Sequence, residues 1–83
     1  MEVRVTGRLP LIRPGISLLG GCSLFSGPFT TIDGVDAPSD VDGLVLTSEV
    51  ALDGINITGF DGKQLIVLGG QNVVKCTSAR KMP

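Results

Sequence analysis

The run 41–62, VDGLVLTSEVALDGINITGFDG, holds three places where a hydrophobic residue is followed by Asp-Gly: Val41-Asp42-Gly43, Leu52-Asp53-Gly54 and Phe60-Asp61-Gly62. A fourth, Ile32-Asp33-Gly34, lies upstream, so the pattern takes four of the eight acidic side chains. Between the triplets the apolar residues alternate. Leu44, Leu46, Val50 and Leu52 fall on one side, with Thr47 and Glu49 on the other; Ile55 and Ile57 continue the apolar set, with Asn56 and Thr58 opposite. A period of two belongs to strands with one buried face. Asp-Gly is favoured where a two-residue hairpin needs positive φ at both central positions, because glycine has no Cβ to clash and aspartate can bond nearby backbone donors. The triplets start at 32, 41, 52 and 60, a spacing of one short strand plus one turn. This predicts a single small antiparallel all-β domain, meander-, barrel- or sandwich-like, with the aspartates as turn formers.

Outward from this run, the twelve glycines and five prolines leave no window with a helical period free of breakers. Val3–Thr6, Ile16–Leu19, Phe29–Ile32 and Val73–Thr77 read as further short strands, and Leu65-Ile66-Val67-Leu68 as a strand buried on both faces. Residues 7–15, GRLPLIRPG, suit neither helix nor ladder, since Pro10 and Pro14 remove backbone donors and bias their predecessors to extended geometry. The organisation expected is an extended amino-terminal arm over 1–15, a β domain over 16–77 and a basic tail over 78–83. Leu9, Leu11 and Ile12, set among Arg4, Arg8 and Arg13, are candidate contacts to a neighbouring molecule, as are Arg80 and Lys81. On that reading, removing residues 1–13 leaves the domain folded and prevents assembly.

Eighty-three residues make one small domain with a modest core. Only 18% of them are charged and 42% are hydrophobic, which leaves apolar surface for self-association or docking on a larger body. The net charge of −1 hides a banded distribution: +2 over 1–32, −7 over 33–62 and +4 over 63–83. Basic ends of one copy could meet the acidic middle of another. With no Tyr or Trp and only three Phe, base stacking has little support, so no nucleic-acid partner is expected. A glycan- or peptide-recognition module would need Phe25, Phe29 or Phe60 exposed in one groove.

No histidine is present, so Ser-His and Cys-His nucleophile pairs and the usual zinc sets cannot be assembled. Ser78-Ala79-Arg80-Lys81 matches a Ser-x-x-Lys string without the helix and large site that chemistry needs. No enzymatic activity, cofactor or catalytic residue is expected. Asp33, Asp36, Asp40 and Asp42 are weak calcium candidates, although their spacing does not fit an EF-hand. Cys22 and Cys76 are open to two readings, a bridge or two buried, reduced cysteines. Leu19-Gly20-Gly21-Cys22-Ser23 is similar to a lipoprotein signal, yet Arg13, Pro14 and Glu2 interrupt the required pattern. No apolar run approaches the roughly 20 residues of a helical membrane span, so a soluble chain without a membrane partner is expected.

The segments Val41–Leu46, Leu52–Ile57 and Phe60–Gly62 resemble parts of small virion proteins of tailed phages, both capsid decoration (cement) proteins and fibre or spike modules. The resemblance implies a symmetric homo-oligomer, with a trimer favoured, located on the virion and bound to a larger assembly such as a capsid shell. The function expected is structural: decorating or stabilising a capsid by binding neighbouring subunits. The alternatives are a tail fibre, spike or adaptor module, and, for location, the cytoplasm.

Overall fold

The computed structural model describes residues 2–23, 25 and 27–80. Among these there are eleven short strands and no helix: β1 (Glu2–Arg4), β2 (Ser17–Leu19), β3 (Cys22–Ser23), β4 (Gly27–Pro28), β5 (Thr30–Asp33), β6 (Leu44–Leu46), β7 (Ala51–Asp53), β8 (Ile55–Thr58), β9 (Leu65–Val67), β10 (Val73–Lys75) and β11 (Ser78–Arg80). The all-β expectation holds. The antiparallel one does not. Three sheets form, in the orders β1-β5-β8-β11, β6-β9 and β2-β7-β10, and every pairing in them is parallel. Among the described residues only the small β3-β4 pair is antiparallel. The chain visits the first, second and third sheets in turn and then returns to the first, so each strand lies beside its equivalent from the previous coil. Ile12 bridges to Leu46 and adds the first coil to the second sheet. The result is a solenoid of stacked three-sided coils.

The alternation seen in the sequence is correct in its facing and misleading about direction. Leu44, Leu46, Val50 and Leu52 are all buried, as are Ile55 and Ile57, while Thr47, Asn56 and Thr58 are not. A period of two follows from the pleat alone and is the same for parallel and antiparallel partners. The nine-residue alternating stretch is therefore two strands meeting at a corner around 47–50, with its inward set kept. Columns of like residues then stack along the axis. Leu18 lies beside Leu52 and Leu52 beside Val74; Ile32 lies beside Ile57 and Ile57 beside Ala79.

Burial is concentrated in the middle of the stack. Val41, Leu44, Leu46, Val50, Leu52, Ile55, Ile57 and Phe60 make the core, joined among the described residues by Val5 from outside the 41–60 run. These residues belong to β6, β7, β8 and their corners, which have a coil on either side. Complete burial of an aliphatic side chain stabilises by about 1.5–3 kcal/mol, and Leu46, Leu52 and Ile57 are at 0% exposure. The outer strands are less covered. Of Leu65–Leu68, expected to be buried on both faces, Leu65–Val67 forms an edge strand whose one strand partner among the described residues is β6, and Val67 and the following Leu68 are exposed.

None of the Asp-Gly pairs makes a hairpin. Of their glycines only Gly54 has a positive φ, at 76°, and none of their aspartates does. The glycines serve close stacking instead. A Cβ on Gly43 would run into the Gln64 carbonyl oxygen and the Phe60 ring, and one on Gly54 into the backbone of Gly21. Glycine is required where one coil passes tightly over the next.

Gly43→Ala should thus lower stability by about 1–3 kcal/mol through overpacking against backbone. Gly70→Ala, where a Cβ meets nothing and φ is not positive, should be neutral or slightly stabilising. Denaturant midpoints of the two variants check the contrast.

Candidate interaction surfaces

At the corners the chain leaves one sheet before entering the next, and some backbone donors lose their ladder partners, although Gly20 and Gly54 keep backbone acceptors in the neighbouring coil. Side chains replace the lost partners. Asp33 accepts from the Val35 amide at 2.9 Å, Asp61 from the Asp40 amide at 3.0 Å, and Asp42 from the Lys63 amide at 2.7 Å. The last two join neighbouring coils. Buried Gln64 closes the 60–64 corner, accepting from the Phe60 amide at 3.0 Å and donating to the Phe60 carbonyl at 2.7 Å. Asn72 accepts from Val50 N at 2.9 Å and donates to the carbonyls of Thr47 and Gly69. Among the described residues no three acidic or cysteine side chains converge in a way that could hold a metal ion. Of the calcium candidates, the Asp33 and Asp42 carboxylates accept turn bonds, Asp36 pairs with Arg4, and Asp40 takes part through its backbone amide, which donates to Asp61.

Asp42→Ala should cost about 1.5–3 kcal/mol, the scale of a lost hydrogen bond to a charged acceptor. Millimolar calcium should leave the melting temperature of the parent chain unchanged. A calcium-dependent rise would restore the metal reading.

The segment expected as a separate arm, 1–15, lies on the chain's own second coil over its described residues. β1 pairs with β5, Val5 N donates to Asp33 O at 2.9 Å, and Val5 is buried. Ile12 donates to Val45 O at 2.9 Å and accepts from both the Thr47 amide and hydroxyl. Leu9 and Ile12 pack half-buried against the core, while Leu11 stays exposed. Arg4 pairs at 3.1 Å with Glu2 and at 3.4 Å with Asp36, both within its own chain. Its hydrogen bond to Glu2, then the charges of Glu2, Asp36 and Asp33, raise the guanidinium pKa further. Being exposed, these pairs contribute little stability. Arg8 and Arg13 are exposed. Arg80 is exposed on β11, which pairs with β8, so the expected tail supplies a strand; Lys81 lies outside the described residues.

Deleting residues 1–13 should therefore reduce the β signal and the unfolding cooperativity, since it removes β1, Val5 and the Ile12 bridge. A truncated chain with undiminished circular dichroism would show that the first coil is dispensable.

Besides Val35, which stands alone after β5, three groups of exposed apolar side chains remain. Val3, Leu11, Ile16 and Leu19 belong to the first coil, and Val67, Leu68, Val73 and Val74 to the last. The third group is at the hairpin, where Phe25 is 99% and Phe29 52% exposed. Phe60 is buried, so the three phenylalanines do not share an exposed groove. Cys22, at the hairpin base, is bridged to Cys76 beyond β10, with Cα atoms 6.3 Å apart. Cys22 is exposed, and the reading of two buried, reduced cysteines falls. In the chain-entropy model such a 54-residue loop is worth about 4 kcal/mol.

A groove of about 420 Å³ runs on the outer side of the first two coils, lined by Arg8, Leu9, Pro10, Leu11, Asp42, Gly43 and Val45. Of the residues expected as contacts to a neighbour, Arg8, Leu9 and Leu11 line this groove with Val45 of β6, and Ile12, Arg4 and Arg13 do not. Phe25 as an isolated knob was not foreseen. Its signal was present in the absence of any charge between Arg13 and Asp33. Comparison with family models, curated proteins and solved structures finds no match to this chain.

Proposed function

We propose that this chain is a non-enzymatic structural protein of a virus particle, a solenoid that self-associates and docks within a larger assembly. The observation that carries the reading is the distribution of burial. The core is concentrated in residues 41–60, while the outer coils present strand edges and exposed aliphatic side chains. Solenoids bury their repeats by stacking, and terminal repeats need a cover. Open, apolar ends suit a body that is completed by neighbours.

Of the two virion roles that the Asp-Gly segments suggest, the stacked architecture favours a fibre, spike or adaptor module over capsid decoration, because a solenoid extends along its axis by adding coils. The location on a particle rests on the resemblance of those segments. It is supported by the Cys22–Cys76 bridge, since disulfides persist in oxidising surroundings and on virion surfaces. The lack of histidine removes the commonest general base and supports a binding role over a catalytic one.

Sedimentation velocity across a concentration series tests the assembly reading. A discrete homo-oligomer, with a trimer as the expected size, supports it. A monomer at every accessible concentration, with no affinity for a larger assembly, overturns it.

A further inference from the structure

The corner between the third and first sheets is crossed in three ways. After β7 a single residue, Gly54, suffices, and after β10 two residues, Cys76 and Thr77, do the same. After β2 the chain takes ten residues, 20–29, to make the equivalent passage, and folds the extra length into the β3-β4 hairpin. The stack does not need this insertion to close a coil. The insertion is nevertheless fastened, by the Cys22–Cys76 bridge and by Thr30 Oγ1 donating to Gly20 O at 2.7 Å. Between its strands it carries Phe25, whose 99% exposure is the largest among the exposed hydrophobic residues. A phenyl ring held in water on a pinned hairpin is costly unless something covers it.

Two covers can be weighed by magnitude. One phenylalanine partitioning into a bilayer gives only marginal binding, because single apolar anchors are reversible and stable attachment takes a second signal. An aromatic anchor seated in a protein pocket is, in contrast, the usual form of an interface hot spot. The molecule itself offers such a pocket. The groove bounded by Leu9, Leu11 and Val45 has about 420 Å³ of space and largely apolar walls, and Arg8 and Asp42 also line it. Knob and groove lie on different sides of the stack. The hairpin leaves the corner between the third and first sheets, whereas the groove adjoins the second sheet.

We propose that Phe25 of one copy seats in the Leu9–Leu11–Val45 groove of the next, making a head-to-tail contact between identical chains. This rests on the self-assembly proposed above and identifies the surfaces that carry it. Such a contact is heterologous: an open assembly keeps one unused knob and one unused groove at its ends, so it either closes into a ring, as in a trimer, or grows as a filament. The absence of charge from Pro14 to Ile32 means that no ionised group on the hairpin needs to be desolvated when it docks.

Two variants, each broken on one side, test the contact. Phe25→Asp destroys the knob at a fully exposed position, and Leu11→Asp puts a charge into the groove at a residue 57% exposed, so both should retain the parent circular dichroism. Each alone should associate roughly 30- to 1,000-fold more weakly than the parent, the range of a hot-spot loss. Mixed in equal amounts they should form a 1:1 heterodimer that grows no further, because one intact knob and one intact groove remain. Light scattering after size-exclusion chromatography reads this directly. A parent that assembles while Phe25→Asp assembles equally well overturns the knob and spares the assembly reading. Two monomeric variants that fail to pair on mixing overturn the pairing of knob with groove. A parent that is monomeric throughout overturns both readings. Phe25-dependent sedimentation of that monomer with phosphatidylcholine vesicles would assign the hairpin to a bilayer instead.

Discussion

The hydrogen-bond ladder passing from coil to coil through β6, β7 and β8 is what the remaining strands lean on. β7 is paired with β2 on one side and β10 on the other, and β8 with β5 and β11; β6 has β9 on one side and the Ile12 bridge on the other. Buried backbone donors and acceptors must be satisfied, and here the satisfaction is almost entirely between coils. Successive coils wind in the same sense, so the strands that meet this demand run parallel. The same demand explains the corners, where the ladder lapses and aspartate, asparagine and glutamine side chains take the open amides. The four Asp-Gly triplets meet two needs of one geometry: a glycine where the next coil passes too close for a side chain, and, at Asp33, Asp42 and Asp61, a carboxylate where an amide has lost its partner.

The charge banding gains a different meaning in this architecture. Basic, acidic and basic stretches of sequence become successive levels of the stack, with Arg4 reaching from the first coil to Asp36 of the second at 3.4 Å. Part of the complementarity expected between copies is thus used within one copy. What the chain leaves for neighbours is mainly apolar: the two outer coils and the hairpin. The groove beside β6 is one such surface, lined by Leu9, Pro10, Leu11 and Val45 together with Arg8 and Asp42.

Much of this was readable from residues 44–58. The inward set Leu44, Leu46, Val50, Leu52, Ile55 and Ile57 follows from alternation alone and is the set that is buried. Direction was not readable, because pleating gives parallel and antiparallel strands the same period, and Asp-Gly serves a hairpin and a corner equally well. The true repeat was hidden by unequal coils. Leu18 and Leu52 are partners, as are Leu52 and Val74, so the register step changes from 34 residues to 22 along a single column. The hairpin inserted after β2 accounts for much of that difference. The arm over 1–15 was misread for a related reason: Pro10 and Pro14 argue against a regular strand, yet Ile12 between them makes a single bridge, which tolerates both.

Nuclear Overhauser contacts between backbone protons of neighbouring strands test the stacked arrangement most directly. Parallel pairing predicts contacts linking Leu18 to Leu52, Leu52 to Val74, Val45 to Ile66 and Ile32 to Ile57, residues far apart in sequence. An antiparallel meander would instead connect strands adjacent in sequence across the turns at Asp42-Gly43, Asp53-Gly54 and Asp61-Gly62. Observation of the long-register set without the hairpin set is the predicted result, and the reverse would contradict the solenoid.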